Sequence, residues 1–79
     1  MKARVIVTLK SSVLDPQGKA IEGALKGLAI DGLKSVRQGK IFDIELEGED
    51  RAAARLTLGE ACERLLANTI VENYTIEIA

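Results

Sequence analysis

From residue 3 to residue 10 the chain alternates: Ala3, Val5, Val7 and Leu9 fall on one side, and Arg4, Ile6, Thr8 and Lys10 on the other. A period of two marks a strand with one buried face. Only Ile6 interrupts the polar side, and nothing evident in a single chain covers it. Asp15-Pro16 then reads as a helix start, because an aspartate accepts the first unbonded amide hydrogens and proline lacks the donor that position leaves idle. The pattern predicts a helix to about residue 28, with Ala20, Ile21, Ala24, Leu25 and Leu28 on one stripe. Gly23 and Gly27 stand four apart at its edge, each costing roughly 1 kcal/mol relative to alanine in a helix interior. Either another backbone approaches there or the helix is weak towards its end.

Asp31-Gly32 turns the chain into a second extended region, residues 33–47, where Phe42, Ile44 and Leu46 alternate with Ile41, Asp43, Glu45 and Glu47. The alternation is weaker over 33–38. Gly39 either closes a tight hairpin or marks a bulge in one long bent strand, and the long strand is preferred because Gln38-Gly39 is a poor hairpin pair. After Gly48-Glu49, Asp50 caps a second helix expected to reach about residue 68. Its inward stripe is Ala54, Leu58, Ala61, Cys62 and Leu65, with Leu56 nearly opposite and Asn68 suited to a left-handed helix close. Tyr74, Ile76 and Ile78 alternate with Asn73, Thr75 and Glu77 in a last strand. The order strand, helix, long strand or hairpin, helix, strand predicts one small α+β domain over residues 1–79. Its sheet is expected to be antiparallel or mixed, with both helices on one face, as a relative of the ferredoxin-like plan.

A chain of 79 residues buries only about 60% of its unfolded surface, and its large aromatics are limited to Phe42 and Tyr74. A thin core together with uncovered Ile6 and Leu56 predicts self-association, as a homodimer or a higher homo-oligomer. Eleven basic against twelve acidic side chains leave a net charge of -1, which offers no field to nucleic acid or an anionic membrane. One cysteine permits no internal disulfide, and no apolar run has the length of a signal peptide or membrane span, so a cytoplasmic protein is expected. With no histidine and one cysteine the usual nitrogen and sulfur metal sites cannot be built, and no metal or cofactor is expected on this chain.

Catalytic patterns are equally sparse. Ser11 and Ser12 lie near Lys10 and Asp15 but read as a loop and a helix cap, with no histidine base. Asp15 puts negative charge where a helix N-terminus would receive a phosphate. Asp43, Glu45, Glu47, Glu49 and Asp50 read as a solvated strand face and loop, and Phe42 falls on the core side, so the exposed aromatic platform of an RNA-binding sheet is missing. Cys62 reads as a small core filler. Lys34, Arg37 and Lys40 gather around Gly39, as a solvated edge or as a contact for an acidic partner.

Three stretches point further: Val13-Leu14-Asp15-Pro16-Gln17-Gly18, then Arg37-Gln38-Gly39-Lys40, then Leu65-Leu66-Ala67-Asn68-Thr69-Ile70-Val71-Glu72-Asn73-Tyr74. In combination, across residues 2–78, the chain resembles the PurS family, the small subunit of the phosphoribosylformylglycinamidine synthase complex of purine biosynthesis. The resemblance implies a PurS-like fold and a non-catalytic subunit that joins a glutaminase subunit to a larger ATP-dependent synthetase subunit. That complex turns formylglycinamide ribonucleotide, glutamine and ATP into formylglycinamidine ribonucleotide, glutamate, ADP and phosphate, with ATP and magnesium on the synthetase subunit. It also implies help in conveying ammonia between the active sites. By the same resemblance Asp15, Pro16, Gln17, Gly18, Arg37, Gly39, Lys40, Leu66, Ala67, Asn68 and Thr69 are assembly residues, and none is catalytic. The competing expectations are a ligand-sensing dimer of the ACT type, whose binding loop is glycine-rich where this chain has Ser11-Ser12-Val13-Leu14, and an adaptor unrelated to purines.

Overall fold

In the computed structural model, which describes all residues from Met1 to Ala79, the first strand becomes the middle of the sheet. Strand β1 (Lys2–Leu9) is flanked by β2 (Gly39–Glu45) and β3 (Glu72–Ile78), both antiparallel to it, in the order β2-β1-β3. The registers pair Val5 with Phe42 on one side and with Ile76 on the other. The alternation expected for β1 holds: Ala3, Val5 and Val7 are buried. Phe42, Ile44, Tyr74 and Ile76 pack on the same side, against a core of Val5, Val7, Cys62 and Ala67. Ile6 is half-buried on the opposite face, where it lies directly across from Ile41 and Thr75, so it has a partial intrachain cover that its sequence neighbours do not reveal.

Asp50 caps helix α2 (Arg51–Ala61) as expected, its carboxylate accepting the Ala53 amide, and Ala54 and Leu58 are buried. The end of this helix differs from the expected pattern. Residues Cys62–Leu66 form a π turn, closed by the Ala67 amide donating to the Cys62 carbonyl at 3.0 Å. A wider turn advances the chain by fewer degrees per residue, so the inward stripe slips by one position. Leu66 packs on the core in place of Leu65, which is 84% exposed. Asn68 does not adopt the left-handed conformation, which among non-glycine residues belongs to Ala29 at φ 60°. Its side-chain oxygen instead accepts the Ile70 amide at 3.2 Å and turns the chain towards β3.

Helix α1 (Pro16–Gly27) starts and ends where the sequence places it, but of its expected inward stripe only Leu25 is half-buried. Ala20, Ile21, Ala24 and Leu28 are exposed, Leu28 at 71%, and the buried positions are Gly18 and Glu22. What the chain covers is the polar face of this helix. The long strand also falls short: β2 begins at Gly39, and residues 33–38 run without ladder partners beside α1. Neither a hairpin nor a bulge forms at Gly39. Glycine is needed there because a Cβ would stand 2.7 Å from the Val7 carbonyl oxygen.

The result is elongated, 48 × 25 × 15 Å, with a radius of gyration of 15.8 Å where a compact chain of this length has about 12 Å. The fold class is the expected one, α+β with an antiparallel sheet and two helices. Its first helix, however, is held at one end of the sheet by polar contacts. No helix is long and apolar enough to cross a membrane.

Candidate functional site

Asp15 caps the start of α1 and Glu22 follows seven residues later within it, so their side chains share one face two turns apart. Both reach the same extended segment. Asp15 accepts the amide of Gln38 at 2.6 Å and that of Gly18 at 2.9 Å, and Glu22 accepts the amide of Val36 at 3.0 Å. Val36 and Gln38 are two apart, so their N–H groups point the same way along an extended backbone. Two carboxylates thus take the place of a neighbouring strand. These charge-assisted bonds hold both acids below the usual carboxylate range. For Asp15 the Gln38 and Gly18 amides lead, with Arg37 nearby adding to them; for Glu22 the Val36 amide leads, followed by Lys19 and Lys26. Gly18 sits between the two carboxylates, and a Cβ there would lie 2.6 Å from the Val36 carbonyl oxygen, besides meeting the Asp15 carboxylate.

The second and third family-like stretches join the same corner. Arg37 donates to the carbonyls of Lys10 at 3.0 Å and Leu9 at 3.4 Å, where β1 ends. Lys40 pairs with Glu72 at 3.6 Å, and the other oxygen of Glu72 accepts the amide of Asn68 at 2.7 Å. A shallow depression of about 190 Å3 opens between them, bordered by Asp15, Gln17, Gln38, Gly39, Lys40 and Glu72. Of the positions singled out from sequence, Asp15 and Gly18 are bonded directly, Lys40 and Asn68 meet through Glu72, and Asp15, Gly39 and Lys40 border the same depression, while Arg37 bonds the end of β1. Pro16 begins α1, Gln17 and Thr69 are exposed beside them, and Leu66 and Ala67 belong to the core.

Arg37 and Lys40, expected from sequence to be a solvated edge or a contact for an acidic partner, each also have a partner within the chain. The geometry also brings in Glu22 and Glu72, which sequence reasoning missed. A signal was present: an acid placed i+7 from a capping aspartate, with a glycine between them on the same face. Cys62 is fully buried, and burial followed by the charge of Glu63 pushes its thiol up, away from the reactive thiolate. Ser11 and Ser12 lie exposed in a turn, and no three His, Cys, Asp or Glu side chains are placed to hold a metal ion.

A three-stranded sheet with one helix leaving its apolar stripe open, fastened at a corner whose polar groups bond chiefly to backbone, has the build of an assembly subunit. Comparison with known proteins agrees. The family described as PurS, phosphoribosylformylglycinamidine (FGAM) synthase, matches residues 2–79, and this chain belongs to the PurS family. It is 48% identical over 75 residues to the FGAM synthase subunit PurS of Synechocystis, covering 95% of this chain and 75% of that protein. With the PurS subunit of Bacillus subtilis it shares 44% over 77 residues, covering 98% and 90%. A crystal structure of PurS from Methanocaldococcus jannaschii superposes with a TM-score of 0.87 at 38% identity, covering 96% of this chain and 92% of that one. In a structure of PurLQS from Thermotoga maritima a chain superposes with a TM-score of 0.88 at 36% identity, covering 96% and 93%. Membership of this family leaves the ligand-sensing alternative without support.

Proposed function

We propose that this chain works as the small, non-catalytic subunit of an FGAM synthase, binding a glutaminase subunit and an ATP-dependent synthetase subunit into one assembly. The family places it in purine biosynthesis, and the relative found in a PurLQS structure supports a multi-subunit setting. In this reading ATP and magnesium act on the synthetase subunit, and the assembly is cytoplasmic. Its value is chemical: ammonia released into water would be protonated and diluted before meeting an activated amide, so closely joined catalytic subunits, with this one helping to seal the route, keep it reactive.

The observation that carries the reading is the uncovered part of the fold. The stripe of Ala20, Ile21, Ala24 and Leu28 has no intrachain partner, and residues 33–38 extend beside it without a ladder. Self-association as a homodimer or larger homo-oligomer would cover both, with Leu56, 79% exposed, available to a further contact. The corner formed by Asp15, Gly18, Arg37, Gly39 and Lys40 then serves assembly by fixing the direction of α1 and of the 33–38 segment, with Leu66, Ala67, Asn68 and Thr69 setting the approach to β3.

Reconstitution tests this. The chain alone is expected to hydrolyse no glutamine and to consume no ATP. Added to the two catalytic subunits, it restores glutamine-dependent synthesis. Full glutamine-dependent activity without it would refute the assembly role.

A further inference from the structure

The two edges of the sheet are treated differently. In the β1–β3 ladder the Ala79 amide donates to the Lys2 carbonyl at 3.0 Å and the Lys10 amide to the Val71 carbonyl at 2.8 Å. Hydrogen-bonded pairs alternate along an antiparallel ladder, so Arg4 with Glu77 and Ile6 with Thr75 face inward, whereas Ile76 and Ile78 turn their backbone groups outward. An outward row of this kind is a template for another strand. Here its C-terminal half, at Ile76 and Ile78, is occupied, while Tyr74 further along is not. Arg51 donates to the Ile78 and Ala79 carbonyls, both at 2.9 Å, and Arg55 to the Ile76 carbonyl at 3.2 Å. The two arginines stand four apart on α2, one turn of helix, which sets their guanidinium groups along the strand edge.

The opposite edge has no such device. On β2 the reciprocal bonds between Met1 and Leu46 fix the alternation, so the outward backbone groups belong to Gly39, Ile41, Asp43 and Glu45. No side chain of this molecule is bonded to them.

We propose that Arg51 and Arg55 form a latch that closes the β3 edge to strand addition, so that any sheet-to-sheet association of this chain proceeds from the β2 edge alone. Guanidinium groups suit the task, because a planar fork satisfies carbonyl oxygens from the side and places bulk and charge in the path of an incoming strand. The proposal goes beyond the assembly role and stands whether or not that role does.

The test uses the full chain carrying Arg51→Ala with Arg55→Ala, compared with the unaltered protein by light scattering and by site-resolved amide exchange. The opened edge is expected to produce larger, concentration-dependent species. In them the outward amides of Ile76 and Ile78 exchange at least about tenfold more slowly than in the parent, because a new strand now covers them. Arg55→Ala alone, which frees the Ile76 carbonyl and leaves both bonds of Arg51, gives the same protection at Ile76 in a milder background and keeps the test decisive if the double variant is poorly folded. An unchanged mass with fast exchange at both amides, in a variant that retains its β content, overturns the latch, whatever happens to its melting temperature. Growth without protection at Ile76 and Ile78 overturns it too, since association would then use another surface.

Discussion

Three of the four helical glycines in this chain offer the same substitution in opposite surroundings. Alanine in place of glycine stabilises a helix interior by about 0.8–1.0 kcal/mol. A Cβ added at Gly23 in α1 or at Gly59 in α2 would meet nothing within 4 Å, so Gly23→Ala and Gly59→Ala should each gain close to that amount. Gly18 is different. A Cβ there stands 2.6 Å from the Val36 carbonyl oxygen and 2.9 Å from the Asp15 carboxylate carbon, distances that real side chains do not tolerate. Relief requires the 36–38 segment to move off the helix or the carboxylate to rotate away from the Gln38 amide. Overpacking of this sort costs about 1–3 kcal/mol, and a contact with backbone puts it in the upper part of that range. After the helical gain, Gly18→Ala is expected to be net destabilising by about 1–2 kcal/mol. Each kcal/mol shifts the melting temperature by about 4–8 °C in a domain of this size. Urea and thermal unfolding of the three variants at low protein concentration provide the assay. If Gly18→Ala melts at or above the parent, the corner is not tight and its proposed role in directing α1 fails. Raising the concentration adds a second reading: a gain at Gly23 that reverses as chains associate would mean another backbone packs there.

The remaining expectations concern charge and assembly. Asp15 and Glu22 are held below the usual carboxylate range in the folded chain, so the unfolded chain binds protons first as the solution is acidified. Their stabilisation is complete above about pH 5 and is lost as pH falls through their lowered folded values; Asp15→Asn with Glu22→Gln should flatten the acid limb of a melting-temperature profile. Arg37→Glu with Lys40→Glu removes the bonds to the Leu9 and Lys10 carbonyls and sets a carboxylate against Glu72, so the free variant should melt below the parent. A normal melt would show that these contacts contribute nothing in solution. Light scattering of the unaltered chain at micromolar concentration should report more than one copy, and a clean monomer would remove the argument built on the open face of α1.

Much of the fold was legible because strands and caps are local matters. The alternation of Ala3, Val5 and Val7 and the Asp15-Pro16 and Asp50 helix starts each depend on a few neighbouring residues, and each appears where expected. What failed depends on elements distant in sequence. The weak alternation over 33–38 gave no sign that its N–H groups would be taken by carboxylates rather than by a strand. The stripe of α1 was correctly apolar, but its exposure is a fact about the missing neighbour. The exchange of Leu66 for Leu65 comes from a π turn, whose phase slip leaves no mark in composition. At the candidate site the motif stretches were found by resemblance, whereas Glu22 and Glu72, which tie them together, are acids of ordinary appearance recognisable only once their amide partners are in place.

The central position of β1 governs when this molecule can take shape during synthesis. β1 is made before both of its neighbours, and the later of them, β3, pairs Ile78 with Ala3. At roughly 5–20 residues per second the ribosome needs some seconds to pass from Leu9 to Glu72, and throughout that interval Val5 and Val7 lack at least half of their sheet. Contacts so distant in sequence also slow folding, because the intervening loop must close before they form. A nascent chain stalled before Glu72 therefore displays an apolar strand with a vacant edge, the kind of segment that holdase chaperones bind. The same arrangement brings the two ends of the chain side by side, so that a short link from Ala79 to Met1 and new termini in the turn at Gly48 would place β2, β1 and β3 in a different order of birth without altering the sheet.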